Sequence, residues 1–143
     1  MHCSFNEHYG SYIDSPDGLS LQPLTGRRNP LLISIACLIA SRFIPDFPRL
    51  TVHAMYGHVR GLVATTIVDA GPLSFDTLQA LLLLSTWKPT IQSETHFDSW
   101  ILTGIAAGHA IVSFRLEEFQ LPLLEDRKRQ VRLWSRLCLR HLQ

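Results

Sequence analysis

The sequence predicts an all-α fold, an irregular array of about five helices. Apolar segments of helical length alternate with short stretches that hold proline, glycine or a capping residue, and no stretch has a convincing strand pattern. With 143 residues, of which 46% are hydrophobic and 17% charged, the chain is large enough to bury a core without disulfides or a metal. We therefore expect a folded helical protein rather than a disordered one.

An irregular lead-in, residues 1–28, is expected before a helical domain that spans residues 29–143. The lead-in contains turn-forming residues and no sustained hydrophobic period. The first helix should begin at Asn29 and Pro30, because asparagine caps free backbone N–H groups and proline fits the first helical position. It should end shortly before Pro45, since proline disfavours helical geometry in the residue that precedes it.

Two further helices are predicted in the middle of the chain. The second covers residues 46–69, where Gly57 and Gly61 indicate either a kink or a close crossing with another helix. The third follows Ser74, which can cap it, and contains four consecutive leucines, residues 81–84. Because four consecutive side chains point in all directions around a helix, we expect this helix to be buried.

A fourth helix is predicted from the run FDSWILTGIAAGHAI, residues 97–111. Thr95 and, three residues later, Asp98 resemble a capping box at its start. Its bulky apolar side should face the interior, with Gly104 and Gly108 forming a groove for a neighbouring helix. That side holds Trp100, Ile101, Gly104, Ile105, Gly108, Ile111 and Val112. The glycine spacing also suits membrane helices, so membrane association stays an alternative, although no apolar run reaches the ~20 residues of a span.

The last predicted helix, residues 125–143, is amphipathic and strongly basic. Residues 1–126 carry 7 basic and 12 acidic side chains, a net charge of −5, whereas residues 127–143 carry 6 basic and no acidic ones. Val131, Trp134, Cys138 and Leu142 are predicted on one side, and a candidate interaction stripe lies opposite: Arg129, Arg132, Arg136 and Arg140. The stripe could be solvated, could face an acidic surface of this or a partner domain, or could contact DNA phosphate.

No signature of catalysis or of metal binding is present in the sequence. Cys3, Cys37 and Cys138 are too scattered for a disulfide framework or a metal site. His53 and His58 are five residues apart and point about 140° from one another on a helix, which is poor geometry for sharing a metal ion. The chain also lacks the common nucleophile, phosphate-loop and dinucleotide motifs, so we expect neither an enzyme nor a resident cofactor.

A small effector pocket is one interpretation of the polar residues near the fourth helix. His109 lies in a strongly apolar segment, and Trp100 and Trp87 lie near the ends of the surrounding elements. An apolar cavity with one polar contact suits a small ligand. A core histidine bonded to a neighbouring carbonyl or hydroxyl explains the same pattern, and the sequence does not separate these alternatives.

Four phrases in this order and spacing resemble the fungus-specific transcription factor domain, the helical regulatory region that follows the zinc binuclear cluster in fungal activators. They are NPLLISIACLIASRF, FDTLQALLLLSTW, DSWILTGIAAGHA and RQVRLWSRL. The residues that carry the similarity are Ala40, Ser41, Arg42, the run from Thr77 to Leu84, Ser99, Trp100, Gly104, Ala106, Arg129, Arg132, Leu133 and Trp134. Each phrase alone is weakly specific, and the resemblance covers roughly residues 29–140.

The resemblance implies a nuclear regulatory domain that modulates transcription through protein contacts and an effector in some members. Zinc belongs to the family's six-cysteine cluster, which this chain lacks, so direct DNA binding through such a cluster is not expected. The family domain continues through several more helices, so we expect a partial version with exposed apolar patches and self-association. The alternatives are a stand-alone small-molecule-binding helical protein and a membrane-associated helical protein.

Overall fold

The computed structural model describes residues 29–68, 71–87, 97–114 and 125–142, and this part of the chain is all-helical. Its five α-helices are α1 (Pro30–Ala40), α2 (Arg49–Val68), α3 (Phe75–Thr86), α4 (Ser99–Phe114) and α5 (Glu125–His141). A 3₁₀ turn, Ser41–Phe43, directly follows α1. The predicted all-α array is therefore confirmed for these residues. The predicted lead-in, residues 1–28, lies outside them.

The starts of α1 and α3 are fixed by the side chains that the sequence indicates. Oδ1 of Asn29 accepts hydrogen bonds from the backbone N–H groups of Leu31 at 3.0 Å and Leu32 at 3.3 Å. The hydroxyl of Ser74 accepts one from the N–H of Thr77 at 3.2 Å. Each bond satisfies a donor that a helix start leaves without a partner, so both predicted caps are confirmed.

The start of α4 is fixed in a different way from the prediction. Oδ1 of Asp98 accepts bonds from the N–H groups of Trp100 at 2.7 Å and Ile101 at 3.3 Å. Asp98 is therefore the capping residue itself, rather than the third residue of a capping box. A carboxylate next to the positive end of the helix dipole is favourable for the same reason. Thr95, the other member of the predicted box, lies outside the described residues.

The chain divides into two compact units, Met1–Asp69 and Ala70–Gln143. In the first unit α1 packs against α2. The core residues are apolar on both helices, and Ile35 of α1 and Val59 and Val63 of α2 are almost completely buried. The expectation of one helical domain over residues 29–143 stays a prediction.

Helix α2 begins directly after the predicted start region, residues 46–48, and has no close neighbour at its glycines. It starts at Arg49, just after Pro48, whose carbonyl accepts the N–H of Thr51 at 3.0 Å. A Cβ atom placed on Gly57 or on Gly61 meets nothing within 4 Å. A close helix crossing is therefore absent at both positions among the described residues.

Helix α3 is the most buried element of the second unit, and α4 and α5 pack against it and against each other. Every residue from 77 to 85 is buried, including the four leucines. This confirms the burial that the run of leucines predicts. The polar residues at the end of α3 bond to its own backbone, as where the hydroxyl of Ser85 donates to the carbonyl of Leu82 at 2.8 Å.

The side of α4 that is buried is opposite to the predicted one. The buried residues are Leu102, Thr103, Ala106, Ala110 and Phe114. Trp100, Ile101, Ile111 and Val112 are instead exposed. Small residues on the inner side allow close packing against α3 and α5, and the Thr103 hydroxyl is satisfied because it donates to the carbonyl of Ser99 at 2.7 Å.

Candidate functional site

Three of the four stripe arginines of α5 lie close to the buried side of this helix. Leu133 and Leu137 are the buried residues of this helix. At 100° per residue, Arg129, Arg136 and Arg140 lie within about 60° of Leu133. The two buried leucines lie between the predicted apolar side and the predicted basic side, so the sequence pattern does not identify the buried side of α5.

Arg140 joins the end of α5 to the end of α3. Its Nη2 donates a hydrogen bond to the backbone carbonyl of Ser85 at 3.2 Å. The hydroxyl of Ser99, at the start of α4, donates to the same oxygen at 3.2 Å. Ser85 lies in the last turn of α3, where the backbone carries partial negative charge, so a guanidinium is favoured there. One carbonyl oxygen thus joins all three helices of the second unit.

The other end of α5 is held by two more arginines. The guanidinium carbon of Arg129 lies 5.3 Å from the ring centroid of Phe75, a cation–π geometry. Phe75 in turn packs against Phe114, with ring centroids 6.1 Å apart. Nη1 of Arg127 donates to the carbonyl of Phe114 at 3.0 Å. This end of α5 therefore contacts the start of α3 and the end of α4.

The four arginines of the predicted interaction stripe therefore have different surroundings. Arg129 and Arg140 make packing contacts within the second unit. Arg136 is half-buried and Arg132 is exposed. A role of the stripe in binding a partner stays a prediction.

A histidine that the sequence did not single out fixes the contact between α4 and α5. The His141 ring stacks on the Trp100 indole, with centroids 4.8 Å apart and planes 24° from parallel. Its Nδ1 lies 3.0 Å from the Trp100 carbonyl oxygen and 3.3 Å from the Thr103 hydroxyl. A Cβ placed on Gly104 would lie 3.0 Å from the ring. The glycine groove is thus real at this position, and a side chain of α5 occupies it.

The three residues of the predicted effector pocket are not arranged around one cavity by α4. Trp100 and His109 are nine residues apart on this helix, which places them on opposite sides. Trp87 is the capping residue at the end of α3 and is half-buried. The aromatic partner of Trp100 is His141 rather than His109. Binding of an effector stays a prediction.

Two titratable side chains of α5, Glu125 and Cys138, have pKa values shifted by their local surroundings. Nζ of Lys128 donates to Oε1 of Glu125 at 2.6 Å, and this bond together with the lysine charge lowers the pKa of Glu125. Burial raises the pKa of the Cys138 thiol. Among the described residues no group of three histidine, cysteine, aspartate or glutamate side chains is placed to hold a metal ion.

Among the described residues of the second unit, four large exposed apolar side chains lie on the outward side of α4. We call Trp100, Ile101, Gly108, Ile111 and Val112 the α4 outer face, and all five residues are exposed. No helix in the described ranges is both long enough and apolar enough to cross a bilayer. The α4 outer face is an exposed apolar surface.

The described part of the second unit is thus an all-helical assembly in which arginines of α5 contact α3 and α4 and one side of α4 is exposed. The chain belongs to the family of the middle domain of the transcriptional activator of proteases prtT, whose family model matches residues 1–143. The resemblance to a fungal transcription factor domain is thereby confirmed at the level of an activator's middle domain.

Individual relatives agree with this assignment. A transcriptional activator of proteases prtT from Aspergillus clavatus is 41% identical over 97% of this chain and 23% of its own length. Those of Aspergillus fumigatus and Aspergillus niger are 38% and 35% identical over 97% of this chain, which corresponds to 20% and 23% of their lengths. The chain thus spans about a fifth of the length of the curated relatives it matches. No solved structure matches it.

Proposed function

We propose that this chain acts in the nucleus as a regulatory middle domain that controls the transcription of protease genes through protein contacts, without catalysing a reaction. The observation that supports the proposal most strongly is the family match over all 143 residues. The relatives are named as transcriptional activators of proteases, and the similarity extends over 97% of this chain. The side-chain contacts of the second unit agree with a role without catalysis, because Arg129, Arg140 and His141 contact neighbouring helices.

A tethering experiment tests the regulatory role directly. The full chain is fused to a bacterial DNA-binding domain. The binding sites of that domain are placed upstream of a reporter gene in a fungal host. We expect reporter transcription to change several-fold relative to the DNA-binding domain alone. A matched control carries Leu81→Asp, which buries a charge in the core of α3 and should abolish both folding and the effect.

A second measurement addresses the target genes. Deletion of the coding region in the source organism should change the transcript levels of secreted proteases, and reintroduction of the intact gene should restore them. Unchanged protease transcripts together with an inert tethered chain would contradict the proposal. If only the tethered chain is active, the regulatory role is supported and the protease target is wrong.

The zinc-cluster kinship and the truncation of the domain stay predictions. The boundaries of the mature transcript test both together. Coding sequence for a six-cysteine cluster on the same transcript would support the kinship, and further helical coding sequence after residue 143 would contradict a truncated product. Thermal-shift screening against metabolites, compared with His109→Ala, tests the predicted effector.

A further inference from the structure

We propose that the α4 outer face binds the same face of a second copy of this chain, as a two-fold symmetric helix pair that crosses at Gly108. The proposal stands apart from the transcriptional role, because it concerns the purified chain alone. The four large side chains of the face are largely accessible to solvent. Trp100 retains 64% of its accessible surface, Ile101 53%, Ile111 44% and Val112 66%.

The area of this face agrees with a weak dimer. A large apolar side chain buries about 150–250 Å² when it is fully covered, so the four side chains together offer on the order of 400 Å². One partner in a standard interface contributes about 800 Å². The available area therefore predicts a concentration-dependent dimer rather than an obligate one.

The shape of the face provides a place for a second helix to cross. Gly108 is exposed, and a Cβ atom placed on it meets nothing within 4 Å. Ile111 and Val112 lie on either side of this glycine around the helix, and Ile101 lies two turns before it. Side chains of a crossing helix can therefore pack into the notch at Gly108. Gly104 differs, because the His141 ring already occupies the space above it.

The charge of the face favours a second copy over a different partner. Helix α4 contains no Asp, Glu, Lys or Arg between Ser99 and Phe114. An uncharged apolar face is complementary to itself, since a two-fold axis brings no like charges together. The capping carboxylate of Asp98 flanks the face at the start of α4, ten residues before Gly108, so a two-fold axis at Gly108 keeps the two copies of this charge apart. A two-fold axis near Gly108 would place glycine opposite glycine and leave the isoleucine and valine side chains to interlock.

The test is the molar mass of the purified full chain across a concentration series, by analytical ultracentrifugation. We expect the mass to rise from 16.2 kDa towards twice that value as the concentration increases. Val112→Lys should raise the dissociation constant of the dimer at least tenfold, because the two-fold axis would bring two desolvated lysines together. The matched control is Val68→Lys, at a valine of α2 that is 78% exposed and outside the face, and it should behave as the unchanged chain.

A second pair of variants tests the crossing point itself. Gly108→Leu fills the notch and should weaken the dimer, whereas Gly57→Leu, at another glycine with open space, should leave it unchanged. Circular dichroism must show native helix content for each variant that is scored. A chain that is monomeric at every concentration overturns the proposal and assigns the face to another protein. A dimer that Val112→Lys and Gly108→Leu leave intact overturns it as well, because another surface would then be responsible.

Discussion

Nδ1 of His141 lies 3.0 Å from the backbone carbonyl oxygen of Trp100, and the two side-chain rings stack with centroids 4.8 Å apart. A carbonyl oxygen can only accept, so Nδ1 carries the proton in this contact. The Thr103 hydroxyl donates to the carbonyl of Ser99, which leaves its lone pairs to face the same N–H at 3.3 Å. His141 therefore joins the last turn of α5 to the first turn of α4 through both polar and stacking contacts.

Replacement of this histidine should destabilise the fold measurably. His141→Ala removes the hydrogen bond to Trp100 and the stacking, so we expect the free energy of unfolding to fall by about 1–2 kcal/mol. Urea denaturation followed by circular dichroism measures this quantity. The control is His58→Ala, at an exposed histidine of α2, for which a change within about 0.5 kcal/mol is expected. Equal effects of the two substitutions would contradict the role assigned to His141.

The two glycines of α4 should respond to alanine in different directions. At Gly104 the new methyl group would lie 3.0 Å from Cε1 of the His141 ring, which its other contacts hold in place, so Gly104→Ala should destabilise the chain. At Gly108 there is open space, so Gly108→Ala should stabilise it by up to about 1 kcal/mol through helix propensity. Thermal unfolding at low protein concentration measures both. A stabilising Gly104→Ala would show that the ring moves freely.

The starts of α1 and α3 could be predicted because each depends on neighbouring residues. The Asn29 and Ser74 side chains bond to backbone groups two or three residues away, so the local sequence contains all that determines these caps. The four leucines of α3 predict burial in any orientation. Similarly, Pro45 ends the 3₁₀ turn that follows α1, because Ile44, the residue before this proline, is extended.

The orientation of α4 could not be predicted from its sequence. Because the helix has no charged residue, both of its sides are compatible with burial, and hydrophobic periodicity does not choose between them. The structure buries the side with Ala106 and Ala110, where small residues permit close packing. The aromatic partner of Trp100 could not be predicted for a related reason. His141 meets Trp100 across 41 positions of sequence, and no local pattern indicates such a contact.

Loss of the Arg140 guanidinium should weaken the packing of α5. Arg140→Met keeps an unbranched apolar side chain but removes the donor to the Ser85 carbonyl, so we expect the free energy of unfolding to fall by about 1–2 kcal/mol. The matched control is Arg49→Met at an exposed arginine of α2, with an expected change within about 0.5 kcal/mol. Chemical denaturation distinguishes the two. If Arg49→Met proved as damaging as Arg140→Met, the contact with Ser85 would not be the cause.

The Cys138 thiol should react more slowly in the folded chain than in the unfolded one. Burial raises its pKa, and only the thiolate is nucleophilic, so the pH midpoint of its alkylation by iodoacetamide should be higher in the folded state. The corresponding contribution to stability is present below the unfolded-state pKa and is lost as the pH rises through the folded-state pKa. The measurement uses a chain with Cys3→Ser and Cys37→Ser, so that one thiol reports, and the same chain in urea is the control. A folded-state midpoint equal to or below the value in urea would contradict the burial of this side chain in α5.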